Sequence, residues 1–395
     1  MLSTKTLYAI LLALIIVLGI TLSIKTALGP NNFLDFWDDS YYIFFSHYIA
    51  NYGFNKILLA NFATEYILVG VPAIIYKLLG VSLLTEGIFS MFCLTGTVIT
   101  IFMIGKLLHN ELAGLLSALT FIFVPLVAAE GAASGDNMAV AFFITLSVLL
   151  LFLGAKKKKS IYYLLSGFIG LTGVLAGSAL NLLVFMFLIP YIIYLLLKER
   201  NVEQKLHTLA FFWGMLLAIA LIITLGYILQ SKPFIYFVTN YYVVKYPASN
   251  TPTLLKYIAL LFPFPPHSGV PSWFFWPLIS GFSNGVDINV IGFFGYAMLA
   301  SLAYLLAKKK YDSALLLSSW FGLMFMYLSF GKDSFSGGYM LFVERFTIIL
   351  LPPMAIIIGL ALSMIIEDAF KIGKRGRSKR HVALHKVLFL FAMVA

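Results

Sequence analysis

The chain is 395 residues long, 61% hydrophobic and only 11% charged, with a mean hydropathy of +0.97. That much apolar surface cannot be hidden in a soluble domain of this length, so a water-soluble enzyme is excluded and a bilayer protein is indicated. The net charge of +11 does not make a nucleic-acid reader, because most lysines and arginines stand in short runs between apolar segments, and the single Cys93 excludes an intrachain disulfide.

A bilayer span needs about 20 consecutive apolar residues. In chain order such spans are predicted at 7–28, 84–107, 111–129, 137–155, 160–178, 180–197, 208–229, 286–307, 312–330 and 345–366. The first is longer than a signal-peptide core and no clear small-x-small cleavage site follows it, so it reads as a retained span. Between the first two spans, "DDSYYIFFSHYIANY" (38–52) reads as a helix stopped by Gly53. Asp38, Tyr42, Phe45 and Ile49 share one of its faces. "YILVGVPAIIYKLLG" (66–80) is apolar but short and carries Pro72 and Lys77, so it reads as an interfacial or re-entrant helix. The fold class is therefore an all-α polytopic membrane protein, with about ten to eleven transmembrane helices and interfacial helices in the first outer loop. "KVLFLFAMVA" at the end is expected to be the start of a further, truncated transmembrane helix from 387 to 395.

Charge sets the orientation. With the N-terminus cytoplasmic, the connections at 106–110, 156–159, 198–207 and 308–311, together with a basic loop at 367–386 and Lys5, hold 19 of the 27 basic residues inside. Loops 29–83, 230–285 and 331–344 then fall on the extracytoplasmic side of a plasma membrane. The second of these is rich in Pro, Gly and aromatics, as expected for irregular backbone at headgroup depth. There is no strong internal repeat, Walker loop, dinucleotide fingerprint or Cys/His metal spacing.

Chemistry is expected from the few outer charges. One acid at the start of helix 38–52 would serve its dipole, worth about 0.3–1 kcal/mol. A second at the next position faces elsewhere, and an acid near hydrocarbon is a functional candidate. Glu65 and Asp136 each stand where a helix begins, which allows a capping role as well as a site role, and Glu130 shares the short loop of Asp136. Arg345 opens the last full span. It is a membrane anchor, a partner of Glu344, or a bidentate phosphate ligand. Lys332, Lys232, Lys245 and Lys256 are weaker candidates of the same kind. His267 with Glu65 or Asp136 would be a candidate metal site by co-location alone.

The order of these features resembles the GT-C superfamily of membrane glycosyltransferases, in its protein O-mannosyltransferase and aminoarabinose-transferase branch. The resemblance begins with a first span and an outer loop opening on the Asp38–Asp39 pair. It continues through "ILVGVPAIIYKLLGVSLLTEGIFS", similar to that family's interfacial helix and second span. "GKLLHNELAGLLSALTFIFVPLVAAEGAASGDNMAVAFFITLSVLLLFL" resembles its third and fourth spans, and "ERFTIILLPPMAIIIGLAL" its Arg-Tyr…Pro segment. The second acid is Asp rather than Glu and Arg345 precedes Phe rather than Tyr, and the family's downstream part is not expected within these 395 residues.

The resemblance implies a catalytic domain over 1–366 and an inverting transfer of a sugar from a polyprenyl-phosphate donor to a hydroxyl on a lipid, glycan or protein. It implies Asp38 as base, because a lipid phosphate leaves without a general acid and only the acceptor proton must be taken. Asp39 would orient Asp38 or bind sugar hydroxyls, with Tyr42, Glu65, Asp136, Arg345 and Lys332 binding donor sugar or phosphate. No cofactor is expected, nothing in the spacing supports a divalent metal, and nucleic acid is not a partner. Two other functions remain open. A flippase of lipid-linked saccharide would place ionisable groups at mid-membrane on broken helices of repeated halves, unlike the end-of-span charges here. A surface-polysaccharide polymerase or ligase would share the same outer chemistry.

Overall fold

The computed structural model describes residues 3–27, 38–53, 66–133, 136–176, 179–230, 294–330 and 348–373. Among them all regular structure is helical, in thirteen α-helices and short 3-10 segments. Long runs of Leu, Ile, Val, Phe and Ala dictate this, since backbone polar groups in hydrocarbon must be satisfied within the segment. Six helices are long and apolar enough to cross a membrane: α1 (Thr4–Ala27), α4 (Leu83–Leu108), α7 (Asn137–Lys157), α9 (Val184–Lys198, with the turn before it), α10 (Val202–Gln230) and α13 (Leu351–Gly373).

The other four predicted spans are also helical among the described residues, and two of them are interrupted. The span expected at 111–129 is broken into α5 (Glu111–Ile122) and α6 (Pro125–Glu130), with Phe123 and Val124 between them. Pro125 stands at the start of α6, where its missing N–H costs nothing and its ring ends the preceding helix. The span at 160–178 is α8 (Ser160–Thr172) followed by a 3-10 turn over Gly173–Leu175. α11 (Phe294–Ala307) covers the described part of the span expected at 286–307, and α12 (Tyr311–Phe330) matches its own.

α13 is the centre of the bundle. Residues 351–363 are all buried, and the helix packs against α5, α11, α12 and α4. α1 lies at the periphery, with 17% of its window buried against 94% for α13. α8 and α10 cross at near backbone contact. A Cβ at Gly167 would overlap the Phe211 carbonyl oxygen, and one at Gly214 the Leu164 carbonyl oxygen, so only glycine permits this approach.

The basic turns gather at one end. Lys158 Nζ donates to Gln204 at 2.6 Å and pairs with Glu199 at 3.7 Å, tying the turn after α7 to the α9–α10 connection. Lys106 pairs with Glu111 at 3.2 Å. At the same end Glu367 accepts from Asn110 and lies 3.2 Å from His109 Nε2, an ion-pair distance without hydrogen-bond geometry. Asp368 accepts from Tyr304 at 3.0 Å and pairs with Lys308. These two acids explain why α13 runs to Gly373, past the boundary expected at 366. They anchor about two extra turns of helix to the turns beside it.

Candidate functional site

The opposite end carries the candidate site, and its first component is α2 (Asp38–Tyr52). The helix starts at Asp38, as the pattern predicts. Tyr42, Phe45 and Ile49 are 4%, 5% and 7% exposed, so the shared face is the one that packs into the core. Each such side chain contributes roughly 1.5–3 kcal/mol on leaving water. Gly53 ends the helix at φ +75, its N–H bonded to the Ile49 carbonyl at 2.9 Å. The opposite face is wet or lipid-facing, with Phe44, His47 and Asn51 exposed. The seat of α2 thus fixes the stretch on which Asp38 and Asp39 stand. Tyr42, offered by the sequence as a binding residue, is in the core one turn on and helps to form that seat.

α2 packs on α3 (Tyr66–Leu79), and α3 on α4. α3 has 14 residues, about 21 Å of rise, too short for a core of about 30 Å. Tyr66, Leu68, Val69, Ala73 and Tyr76 are buried, while Ile74, Leu78 and Leu79 are exposed. This is the amphipathic interfacial helix the sequence suggests, with Pro72 accommodated inside it. Desolvation pushes the Tyr66 phenol up to about 12, so it keeps its proton at neutral pH. Tyr66 packs with Leu175 and Ile222, linking α3 to the turn after α8 and to α10.

The second component is the turn between α6 and α7. Asp136 is 7% exposed and occupies the N-cap position of α7, yet its side chain makes no cap hydrogen bond. Asn137, the first residue of α7, donates from Nδ2 to Glu130 Oε2 at 3.0 Å and is 1% exposed. The turn rests directly on two other helices. Ser90 of α4 donates to the Ala133 carbonyl. Gly87 of α4 lies under Ala132, and a Cβ there would stand 2.7 Å from its carbonyl oxygen. Gly131 lies against the Ser23 hydroxyl of α1 in the same way.

The structure thus brings α2, α3 and the Glu130–Asn137 turn to one end, opposite the basic turns. Only the start of α2 is described for Asp38 and Asp39; their side chains, and Glu65, His267, Lys332 and Arg345, with Lys232, Lys245 and Lys256, lie outside the described residues. Among the described residues no three His, Cys, Asp or Glu side chains gather as metal ligands. Sequence reasoning passed over Ser90 and Asn137. Each is a small polar residue in an apolar run, and Asp-Asn before such a run signals only a helix start.

Comparison with known proteins agrees with this arrangement. Residues 70–228 match the family model for dolichyl-phosphate-mannose-protein mannosyltransferase. Crystal structures of ArnT from Cupriavidus metallidurans superpose on 93% of the chain, at 12% identity and TM-score 0.64 for the apo state, and at 13% and 0.65 for the state bound to undecaprenyl phosphate. The Archaeoglobus fulgidus oligosaccharyltransferase covers 97% of the chain at 13% identity and TM-score 0.61. The chain shares the fold of these structures. It spans 63% and 64% of the two ArnT chains and 56% of the oligosaccharyltransferase. No curated protein sequence matches it.

Proposed function

We propose that the chain is an inverting glycosyltransferase that uses a polyprenyl-phosphate-linked sugar and a hydroxyl acceptor on a lipid, glycan or protein. The observation that carries this reading is the fold shared over 93% of the chain with ArnT bound to undecaprenyl phosphate, with a helix that opens on two acids packed at the site end. The acceptor oxygen attacks the anomeric carbon. The bond from that carbon to the phosphate oxygen breaks, and the electron pair leaves with the lipid phosphate. The acceptor proton passes to the Asp38 carboxylate. Asp39 orients that carboxylate or holds sugar hydroxyls, while Asp136 faces the sugar from the second turn. Arg345 takes the phosphate charge as it grows, with Lys332 and Glu65 as further contacts at this end.

The distribution of basic residues supports a plasma-membrane orientation with this end outside, where a donor whose headgroup lies at the outer surface would meet it. The decisive experiment supplies the purified protein with a defined polyprenyl-phosphate sugar and a hydroxyl acceptor and measures released polyprenyl phosphate. Acceptor-dependent release supports transfer. Movement of intact donor across vesicles without release would favour a flippase.

A further inference from the structure

We infer that Asn137 is a positioning residue for the acid Asp136, acting through its hydrogen bond to Glu130. The inference rests on the glycosyl-transfer reading above. Glu130 ends α6 and Asn137 begins α7, so their 3.0 Å bond straps together the two ends of the turn that leads into Asp136. Asn137 is 1% exposed and cannot itself reach a substrate. Any effect it has on the reaction must pass through its neighbours.

Three features make a strap the better account of this side chain than ordinary core packing. Only the donor half of the amide is engaged, because Oδ1 is buried with no hydrogen-bond partner among the described residues. A buried orphan acceptor costs stability, so a leucine of similar size would hold the core at least as well. The acid beside it makes no cap hydrogen bond to α7, so what holds that carboxyl lies elsewhere than in an N-cap bond. The underside of the turn is already held, by Ser90 on the Ala133 carbonyl and by the close approach of Gly87 and Gly131. The Asn137–Glu130 bond adds a side-chain tie between the two ends. An acid that meets a sugar must be held to within a fraction of an ångström, and a misplacement of about 1 Å can cost 100-fold in rate.

The test uses the whole chain in detergent or nanodiscs, with Asn137→Leu, Glu130→Gln, Glu130→Ala and the double Glu130→Ala/Asn137→Leu. Lipid-phosphate release should fall roughly 10- to 100-fold in Asn137→Leu, with the donor KM within about threefold of wild type and an unfolding temperature unchanged or raised. Backbone amides of Gly131, Ala132 and Ala133 should exchange hydrogen faster. Glu130→Gln keeps an oxygen that accepts the bond and should retain turnover within about threefold, whereas Glu130→Ala should fall at least as far as Asn137→Leu. The double variant should be no worse than Glu130→Ala, because both changes break the same hydrogen bond. Wild-type turnover in Asn137→Leu, losses that multiply in the double, or Glu130→Gln as impaired as Glu130→Ala would each overturn the proposal. A wild-type chain that releases no lipid phosphate would instead defeat the transfer reading and the positioning claim with it, while the exchange data would still decide whether the strap holds the turn.

Discussion

Gly87→Ala is the substitution whose effect follows most directly from the geometry of the site end. The added methyl would stand 2.7 Å from the Ala132 carbonyl oxygen and 3.1 Å from Met91 Cε. Met91 is flexible and can move aside. Ala132 is backbone and cannot, so the turn must rise by about 0.7 Å to reach ordinary contact. Overpacking of this kind costs about 1–3 kcal/mol. The rise is passed to the short turn that ends in Asp136, and at that displacement transfer should fall by about tenfold or more. The control is Gly322→Ala in α12, where an added Cβ meets nothing within 4 Å. There the gain in helix propensity should be about 0.5–1 kcal/mol, with turnover unchanged. Thermal unfolding and lipid-phosphate release, measured side by side on both variants, test the argument. Equal behaviour of the two glycine variants would refute it, because it would mean that the close approach under Ala132 carries no force.

At the basic end, Glu367→Ala should cost roughly 1.5–3 kcal/mol, since it removes an anionic acceptor from Asn110 and a partner from His109; Glu367→Gln, which keeps an acceptor, should cost less, and equal unfolding temperatures would show that the link is idle. Gly214→Ala should drive α8 and α10 apart and lower the unfolding temperature by several degrees; a variant as stable as wild type would contradict the close crossing. Single cysteines at Ser40 and Ser268 in a Cys93→Ala background should react with an impermeant thiol reagent in intact cells, and labelling only after lysis would reverse the orientation. Arg345→Lys should lower turnover and Arg345→Ala lower it by about 30- to 1000-fold, with donor affinity falling less; an unchanged rate in Arg345→Ala would make the residue a membrane anchor.

The sequence shows most of the helices because hydrocarbon imposes one rule on all of them. Residues 38–52 illustrate this: the spacing of Tyr42, Phe45 and Ile49 alone picks out the buried face of α2, and Gly53 marks its end. The break at Phe123–Val124 was less legible, because Pro125 can kink a span as well as divide it. The continuation of α13 past 366 was hidden for another reason. Glu367 and Asp368 look like loop residues until His109, Asn110, Tyr304 and Lys308 are seen beside them, and those partners are distant in the chain. The same holds at the site end, where the acids are visible in sequence but Ser90 on Ala133 and Asn137 on Glu130 are not.

Asp38 carries the central claim, and Asp38→Asn tests it most directly. The amide keeps the size of the side chain and some capping ability at the start of α2, but it cannot take a proton. Purified wild type and variant should be compared for release of polyprenyl phosphate from a defined sugar donor with acceptor present, at matched unfolding temperature. Release should be abolished in Asp38→Asn while the protein inserts and purifies as wild type does. Near-normal release in Asp38→Asn would contradict the account: together with loss in Asp39→Asn it would move the base to the neighbouring acid, and with full activity in both it would leave the pair as no more than the start of a helix.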